Sequence, residues 1–197
     1  MDTQDRWNEV KHQLEGEPLT LSPKMSATLQ SSGNGFLFIL ARYKFALKMM
    51  ANRKNLKVLD LGCNDGLGDL MILQNCHCEQ VIGVDFDKDA IRWANENLKQ
   101  DKLSFVQGNF MGMDIFPLGG DCVLSLDVIE HIPVEQEDIF FQTVCRNLKD
   151  DGSLILSGII ESKANEVKEA YEKAGFTLVE RMTMKAWNCF IMKKDVE

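Results

Sequence analysis

Short, almost continuously apolar runs alternate with helical patterns through most of the chain, and this alternation limits the possible folds most strongly. Four such runs lie at 57–62, 80–85, 122–128 and 153–160. Continuous apolar runs are typical of strands in a parallel sheet that helices cover on both faces. Because short loops join the runs to the helical segments, the sequence predicts an α/β fold with a doubly wound, mostly parallel sheet.

Further patterns extend this architecture toward both termini. The segment 103–108 predicts another strand, and segments near 176–184 and 187–193 predict an antiparallel pair, which brings the sheet to seven strands. A loop at 31–36 would serve as a hinge or lid. Helices are predicted at 36–51, 67–75, 88–100, 134–149 and 162–175.

Composition limits the domain count, the compartment and the partners. The 197 residues suffice for one domain with a sizeable core, so we expect an N-terminal extension, residues 1–34, and one domain, residues 35–197. The net charge of −8 argues against a nucleic-acid partner. The apolar runs are too short to cross a membrane, and the polar first residues predict no signal peptide. The six cysteines lie mostly in apolar runs, which favours a reducing, cytoplasmic location.

A glycine-containing loop follows the first predicted strand, in the stretch VLDLGCNDGLGDL at 58–70. Loops of this type let the backbone approach a nucleotide phosphate at a helix N-terminus. Asp60 and Asp65, however, would repel a pyrophosphate there. A ligand that lacks phosphate and carries positive charge suits the loop better, and S-adenosylmethionine has both properties. Asn64 replaces the middle glycine of the usual pattern, and its tolerance of left-handed backbone predicts a positive φ.

Five segments together resemble the motifs of the class I S-adenosylmethionine-dependent methyltransferases. They are, in order, VLDLGCNDG, VIGVDFD, FVQGNF, CVLSLDVIEHI and LKDDGSLILSG, within residues 36–160. The resemblance implies a Rossmann-like fold, methyltransferase activity and S-adenosylmethionine as cofactor. In such a fold the ligand lies outside the carboxyl ends of the strands, near the point where the strand order reverses.

The resemblance assigns the cofactor first to the glycine loop and to the end of the second strand. Gly62, Asn64 and Gly66 would let the backbone approach the methionine part, and Asp60 would hold its ammonium group. Asp85 would accept hydrogen bonds from the ribose hydroxyls. Asp85 follows Gly62 at about the 20-residue spacing that is typical of a ribose-binding acid. The alternative role of Asp85 is to cap the following helix.

The third motif would contribute to the adenine site. Asn109 would accept a hydrogen bond from the adenine amino group, while Phe110 would either pack on the ring or fill the core. Cys63, Phe86 and Leu126 complete the predicted cofactor site from within the motifs.

The fourth motif contains the predicted catalytic residues Asp127, Glu130 and His131. This pattern resembles small-molecule methyltransferases that act on oxygen, and it predicts a small-molecule acceptor with a hydroxyl group on a sugar, phenol or metabolite. The usual pKa range of histidine suits His131 for the role of base; its alternative role is to stabilise the following turn. The three side chains would also suit a divalent metal ion, which we do not favour. Cys76 and Cys78 lack the second pair that zinc sites use, so no metal is predicted there.

Two other segments leave alternatives open. Arg42 and Tyr43 interrupt the apolar pattern of the helix at 36–51, where they would contact the donor carboxylate or the substrate, or form only a solvated face. The segment 154–194 resembles the C-terminal part of ribosomal-protein lysine methyltransferases, which differ in the fourth motif. A protein or amine N-methyltransferase is therefore the first alternative function, and a non-catalytic nucleotide-binding protein is the second.

Overall fold

The computed structural model of the chain describes residues 2–13 and 20–195. The helices are α1 (Thr3–Gln13), α2 (Pro23–Ser31), α3 (Gly33–Met50), α4 (Leu67–Asn75), α5 (Lys88–Asn97), α6 (Glu137–Asn147) and α7 (Ala164–Lys173). The strands are β1 (Lys54–Leu61), β2 (His77–Asp85), β3 (Leu103–Gln107), β4 (Gly120–Leu126), β5 (Leu148–Ile160), β6 (Phe176–Met184) and β7 (Trp187–Lys194).

The strands form one seven-stranded sheet in the order β3-β2-β1-β4-β5-β7-β6. Neighbouring strands from β3 to β5 pair in parallel, whereas β7 pairs antiparallel with both β5 and β6. The predicted Rossmann-like fold with an antiparallel C-terminal pair is therefore confirmed. The strand order reverses between β1 and β4, so a crevice opens where the carboxyl ends of these two strands lie side by side.

Helices cover both faces of the sheet, and a separate apolar cluster fills each side. Successive residues of one strand belong to different clusters. Val58 of β1 lies in the cluster under α3, α4 and α5, and Leu59 lies in the other. The second cluster packs under α6 and α7, where the rings of Phe141 and Tyr171 meet edge to face with centroids 4.8 Å apart. Burial of β1 on both faces explains its almost continuously apolar sequence.

The region before β1 differs from the prediction. The segment 31–36 is not a loop, because α3 begins at Gly33 and Ser32 caps it by accepting a hydrogen bond from the Gly35 N–H at 3.1 Å. A boundary between residues 34 and 35 therefore falls inside the first turn of α3. Among residues 2–13 and 20–195, no helix combines the length and apolar character needed to cross a membrane.

Candidate active site

Two adjoining cavities lie at the carboxyl ends of the central strands. The larger cavity has a volume of about 610 Å³, and the smaller has about 210 Å³. Gly62, Asn64 and Asp127 line both. Of the predicted site residues, those in the larger cavity alone are Asp85, Phe86, Asn109, Phe110 and His131, and those in the smaller alone are Cys63 and Leu126.

The glycine loop between β1 and α4 has the backbone conformation that its sequence predicts. Gly62, Asn64 and Gly66 have φ values of 81°, 56° and 77°, so the predicted left-handed backbone of Asn64 is confirmed. The N–H groups of Gly62 and Cys63 both donate to the Val84 carbonyl, at 2.8 and 3.1 Å, which fixes the loop to β2. The loop therefore turns tightly above the sheet and leaves its backbone open to the cavities.

Asp85 is held rigidly at the end of β2. Its Oδ2 accepts a hydrogen bond from the Asn64 N–H at 2.9 Å, and its Oδ1 accepts one from the Asp87 N–H at 2.8 Å. The cap of α5 is Asp87, which accepts from the N–H groups of Asp89 and Ala90. The carboxylate of Asp85 thus faces the larger cavity with further lone pairs available for hydroxyl donors.

The third motif and Phe86 of the second motif form the floor and rim of the larger cavity. Phe110 is buried, and its ring meets that of Phe140 edge to face at 6.2 Å, so it fills the core and also lines the cavity. Phe86 lies at the rim, 74% exposed. The side-chain oxygen of Asn109 accepts a hydrogen bond from the Met111 N–H at 3.1 Å, which orients the side chain.

Asp60 lies behind the smaller cavity rather than in its wall. It is 1% exposed, and its Oδ2 accepts a hydrogen bond of 2.6 Å from the hydroxyl of Tyr43, which does line the cavity. The ring of Tyr43 packs so closely on α4 that a Cβ at Gly68 would lie 1.9 Å from it. Asp60 therefore acts on the cavity through Tyr43.

A second buried carboxyl group adjoins Asp60. The Oδ1 of Asp60 and both carboxyl oxygens of Asp69 are buried and have no hydrogen-bond partner among the described residues. Burial raises the pKa of Asp60 to about 7 and raises the pKa of Asp69 well above its ordinary value. Burial also raises the pKa of the Cys63 thiol. The loop therefore holds less negative charge at neutral pH than its sequence suggests.

The fourth motif leaves β4 at Asp127, which has a left-handed backbone with φ 61°. Its carboxylate forms an ion pair with the Arg42 guanidinium of α3. Burial raises the pKa of Asp127, and the charge of Arg42 opposes this shift. His131, in a short 3-10 helix, is exposed and lines the larger cavity, whereas Glu130 lines neither cavity.

Helix α2 adds residues that the sequence argument did not find. Lys24 lines the larger cavity and pairs with Asp87 at 3.7 Å, and Met25 lines the smaller one. Ser22 caps α2 by accepting from the Met25 N–H at 3.0 Å, and its hydroxyl hydrogen-bonds to buried Asp65. The Ser-Pro pair at 22–23 is a helix-start signal that would have located this helix.

Metal ligation is not supported by the geometry of the described residues. Among them, no group of three or more His, Cys, Asp or Glu side chains is arranged to hold a metal ion. This statement applies to the fourth motif and also to the Cys76–Cys78 segment, which lies at the amino end of β2, away from the two cavities.

The site fits the chemistry of S-adenosylmethionine. Arg42 and Tyr43 line the smaller cavity, where the guanidinium complements the carboxylate of an amino-acid head and the Tyr43 hydroxyl, bonded to Asp60, complements its ammonium. The larger cavity combines Asp85 with the apolar Phe110, which complements a ribose joined to a flat base. The model of one family, ribosomal protein L11 methyltransferase (PrmA), matches residues 44–195. The chain belongs to this family.

Individual relatives agree with this assignment. The ribosomal protein L11 methyltransferase of Bacillus subtilis (strain 168) is 33% identical over 147 residues, which are 72% of this chain and 44% of that protein. The chain thus spans less than half the length of this curated relative.

Solved structures show the same fold. The ribosomal protein L11 methylase of Lactobacillus delbrueckii subsp. bulgaricus has a TM-score of 0.64 at 16% identity, over 80% of this chain and 78% of that one. A TehB-like S-adenosylmethionine-dependent methyltransferase of Corynebacterium glutamicum has a TM-score of 0.67 at 15% identity, over 86% and 99%. The family and the fold together confirm the predicted class, a class I methyltransferase with S-adenosylmethionine as cofactor.

The predicted small-molecule acceptor is wrong. The family and the relatives are named for a protein, ribosomal protein L11. The prediction gave most weight to the fourth motif, yet Glu130 lies outside both cavities and Arg42 already occupies the carboxylate of Asp127. The C-terminal segment, which includes α7, β6 and β7, resembles ribosomal-protein lysine methyltransferases, and this resemblance agrees with the family and the relatives.

Proposed function

We propose that this protein transfers a methyl group from S-adenosylmethionine to an amino nitrogen of a protein, and that a ribosomal protein is its substrate. One observation carries the proposal: the family match, residues 44–195, extends from within α3 through β7 and includes the glycine loop and all four strand ends that line the two cavities. The anionic Asp127 at the junction of the two cavities supports an amino acceptor, because it already attracts a cationic side chain.

The cofactor roles follow from the two cavities. Asp85 accepts hydrogen bonds from the ribose hydroxyls, and Asn109, Phe110 and Phe86 surround the base. The loop residues Gly62, Cys63 and Asn64, with Leu126, adjoin the methionine part. Gly66 lines neither cavity, and its left-handed backbone shapes the turn of the loop. Asp60 acts on the ammonium group through the Tyr43 hydroxyl.

The transfer itself needs a neutral nitrogen. When bound, S-adenosylmethionine would supply a methyl group on a sulfonium: the nitrogen lone pair would form the new C–N bond, the C–S electron pair would remain on sulfur, and the positive charge would pass to the methylated nitrogen. Asp127 holds the incoming ammonium beside this position, and an imidazole nitrogen of His131 takes the proton that the ammonium must lose before it attacks. Glu130, at the surface beside His131, favours the approach of a cationic substrate.

The domain and compartment assignments belong to the same proposal. The S-adenosylmethionine-binding domain, predicted at residues 35–197, includes all of α3 and therefore begins before residue 35, and α2 from the N-terminal extension lines its cavities through Lys24 and Met25. The six cysteines are free thiols, which supports the proposed cytoplasmic location.

Labelled methyl transfer tests the function. The protein is incubated with methyl-labelled S-adenosylmethionine and either recombinant L11 of Bacillus subtilis or total ribosomal protein. We expect base-stable label on a ribosomal protein, because N-methyl bonds resist base whereas methyl esters do not. The Asp85→Asn variant, which loses ribose contacts, should transfer less label than wild type.

Two results would contradict the proposal. Base-labile label would place the methyl group on oxygen. Binding of S-adenosylmethionine without transfer to any ribosomal protein would favour the non-catalytic alternative.

A further inference from the structure

The ion pair between Arg42 and Asp127 lies where the two cavities meet. Arg42 extends from α3 and lines the smaller cavity, whereas Asp127 follows β4 and lines both. Each side chain is only 25% exposed, so the pair is largely shielded from solvent. The guanidinium therefore pairs with the carboxylate at which the proposed acceptor ammonium binds.

Asp127 is held in this position at an energetic cost. A left-handed backbone is unfavourable for a residue with a Cβ, and such strain persists where the surrounding structure maintains it. Its N–H donates to the Ser157 carbonyl at 3.3 Å, and a Cβ at Gly158 would lie 1.9 Å from its Oδ1. That Oδ1 is buried and has no hydrogen-bond partner within the described chain. Arg42, on Oδ2, is thus the cation that neutralises this carboxylate among the described residues.

Arg42 also has a second anion within its reach when the cofactor is bound. Asp85 and Phe110 assign the adenosine part to the larger cavity, so the amino-acid part extends past Gly62 into the smaller cavity that Arg42 lines. A carboxylate arriving there competes directly with Asp127 for the guanidinium.

We propose that Arg42 is an exchangeable counter-ion: it neutralises Asp127 while the donor site is empty and moves to the donor carboxylate when that site fills, which frees Asp127 for the ammonium of the acceptor. This inference rests on the proposed function, because it takes the acceptor to be an amine. A half-buried carboxylate left without a cation is costly. Asp127 therefore binds the acceptor cation more strongly once Arg42 has moved.

The exchange makes donor and acceptor binding cooperative. A donor-site ligand with a carboxylate raises the affinity for an ammonium at Asp127, and by linkage the ammonium raises the affinity for that ligand equally. A donor-site ligand without a carboxylate leaves Arg42 on Asp127 and gives no such gain.

Calorimetry with the wild-type protein tests the exchange without any variant. The acceptor probe is Nα-acetyl-lysine methylamide, and its neutral counterpart is Nα-acetyl-norleucine methylamide. S-adenosylhomocysteine should tighten binding of the lysine probe by roughly tenfold, whereas 5′-methylthioadenosine, which lacks the amino-acid part, should leave it unchanged. The norleucine probe should respond to neither.

A matched pair of variants identifies Arg42 as the source of the coupling. In Arg42→Gln the lysine probe should bind equally well with either donor-site ligand, because no guanidinium blocks Asp127. Lys44→Gln removes the same charge from an exposed position on the same helix, and it should behave as wild type.

Three outcomes would overturn the inference: equal binding of the lysine probe with both donor-site ligands in wild type, absence of lysine-probe binding with S-adenosylhomocysteine, or persistence of the difference in Arg42→Gln.

Failure of the proposed function would give a different result. In that case ribosomal proteins would remain unlabelled in the transfer assay, while the response of the lysine probe to S-adenosylhomocysteine would persist.

Discussion

Asp85 has both carboxylate oxygens fixed by backbone N–H groups, from Asn64 on one side and Asp87 on the other. An amide in its place would direct an NH2 group at one of these N–H donors, so the substitution disturbs the loop as well as the ligand. The residue couples the shape of the glycine loop to recognition of the ribose.

The Asp85→Asn variant should therefore bind S-adenosylhomocysteine more weakly by about 1.5–3 kcal/mol, the range for hydrogen bonds to a charged acceptor. Isothermal titration calorimetry measures this directly. Asp101→Asn, the same change at an exposed position before β3, is the matched control. An unchanged affinity in Asp85→Asn would remove the carboxylate from the donor site.

At the scale of elements, α2 is the helix that connects the region before α3 to the site. Ser22 makes this connection with one side chain, because it accepts from the Met25 N–H at the start of α2 and donates to buried Asp65 in the glycine loop. Loss of the Ser22 hydroxyl would leave the carboxylate of Asp65, which is 2% exposed, with one hydrogen-bond donor fewer.

Ser22→Ala should lower the free energy of unfolding by about 1–3 kcal/mol, since it removes a helix cap and a partner of a buried carboxylate. Chemical denaturation measures the change. Ser31→Ala, at the exposed last residue of α2, should have a much smaller effect. Equal effects of the two substitutions would show that the contact between Ser22 and Asp65 contributes little.

The elements differ in how far the sequence predicts them, for a physical reason. Helix α4 begins and ends at the predicted residues, Leu67 and Asn75, because the left-handed Gly66 before it and the extended Cys76 after it define its ends locally. Helix α2 is short and polar on much of its surface, and Ser22 anchors it to a residue far along the chain. Such long-range contacts leave no periodic signal in the sequence.

The same distinction applies to the candidate site. The rule that ligands bind at the carboxyl ends of the strands identified the residues that gather there, such as Asp85 and Asp127. It did not show that Asp60 would lie behind Tyr43, or that Arg42 would pair with Asp127. These pairs join α3 to strand ends, and only the packed fold determines which side chains meet.

For the whole molecule, the buried pair Asp60–Asp69 links folding to pH. The pKa of Asp60 in the folded protein is about 7, whereas an unfolded aspartate titrates near 4. Between these values the folded chain retains a proton that the unfolded chain has released, so stability falls as the pH rises. The loss begins near pH 4, and the raised pKa of Asp69 adds to it.

Asp60→Asn should reduce this decline, because an amide does not titrate and does not place a negative charge beside Asp69, while its oxygen can still accept from the Tyr43 hydroxyl. Thermal unfolding at pH 5 and pH 8 measures the difference. The fall in Tm between the two pH values should be smaller in Asp60→Asn than in the Asp101→Asn control. Parallel curves for the two variants would contradict the raised pKa of Asp60.

The position of β7 between β5 and β6 also affects how the protein is made. Strand β5 ends at Ile160, but its second neighbour begins only at Trp187, after α7 and β6. A ribosome adding about 5–20 residues per second would need seconds to deliver β7. During that time the nascent chain presents the unpaired edge of β5, which is a target for wrong pairing and for chaperones.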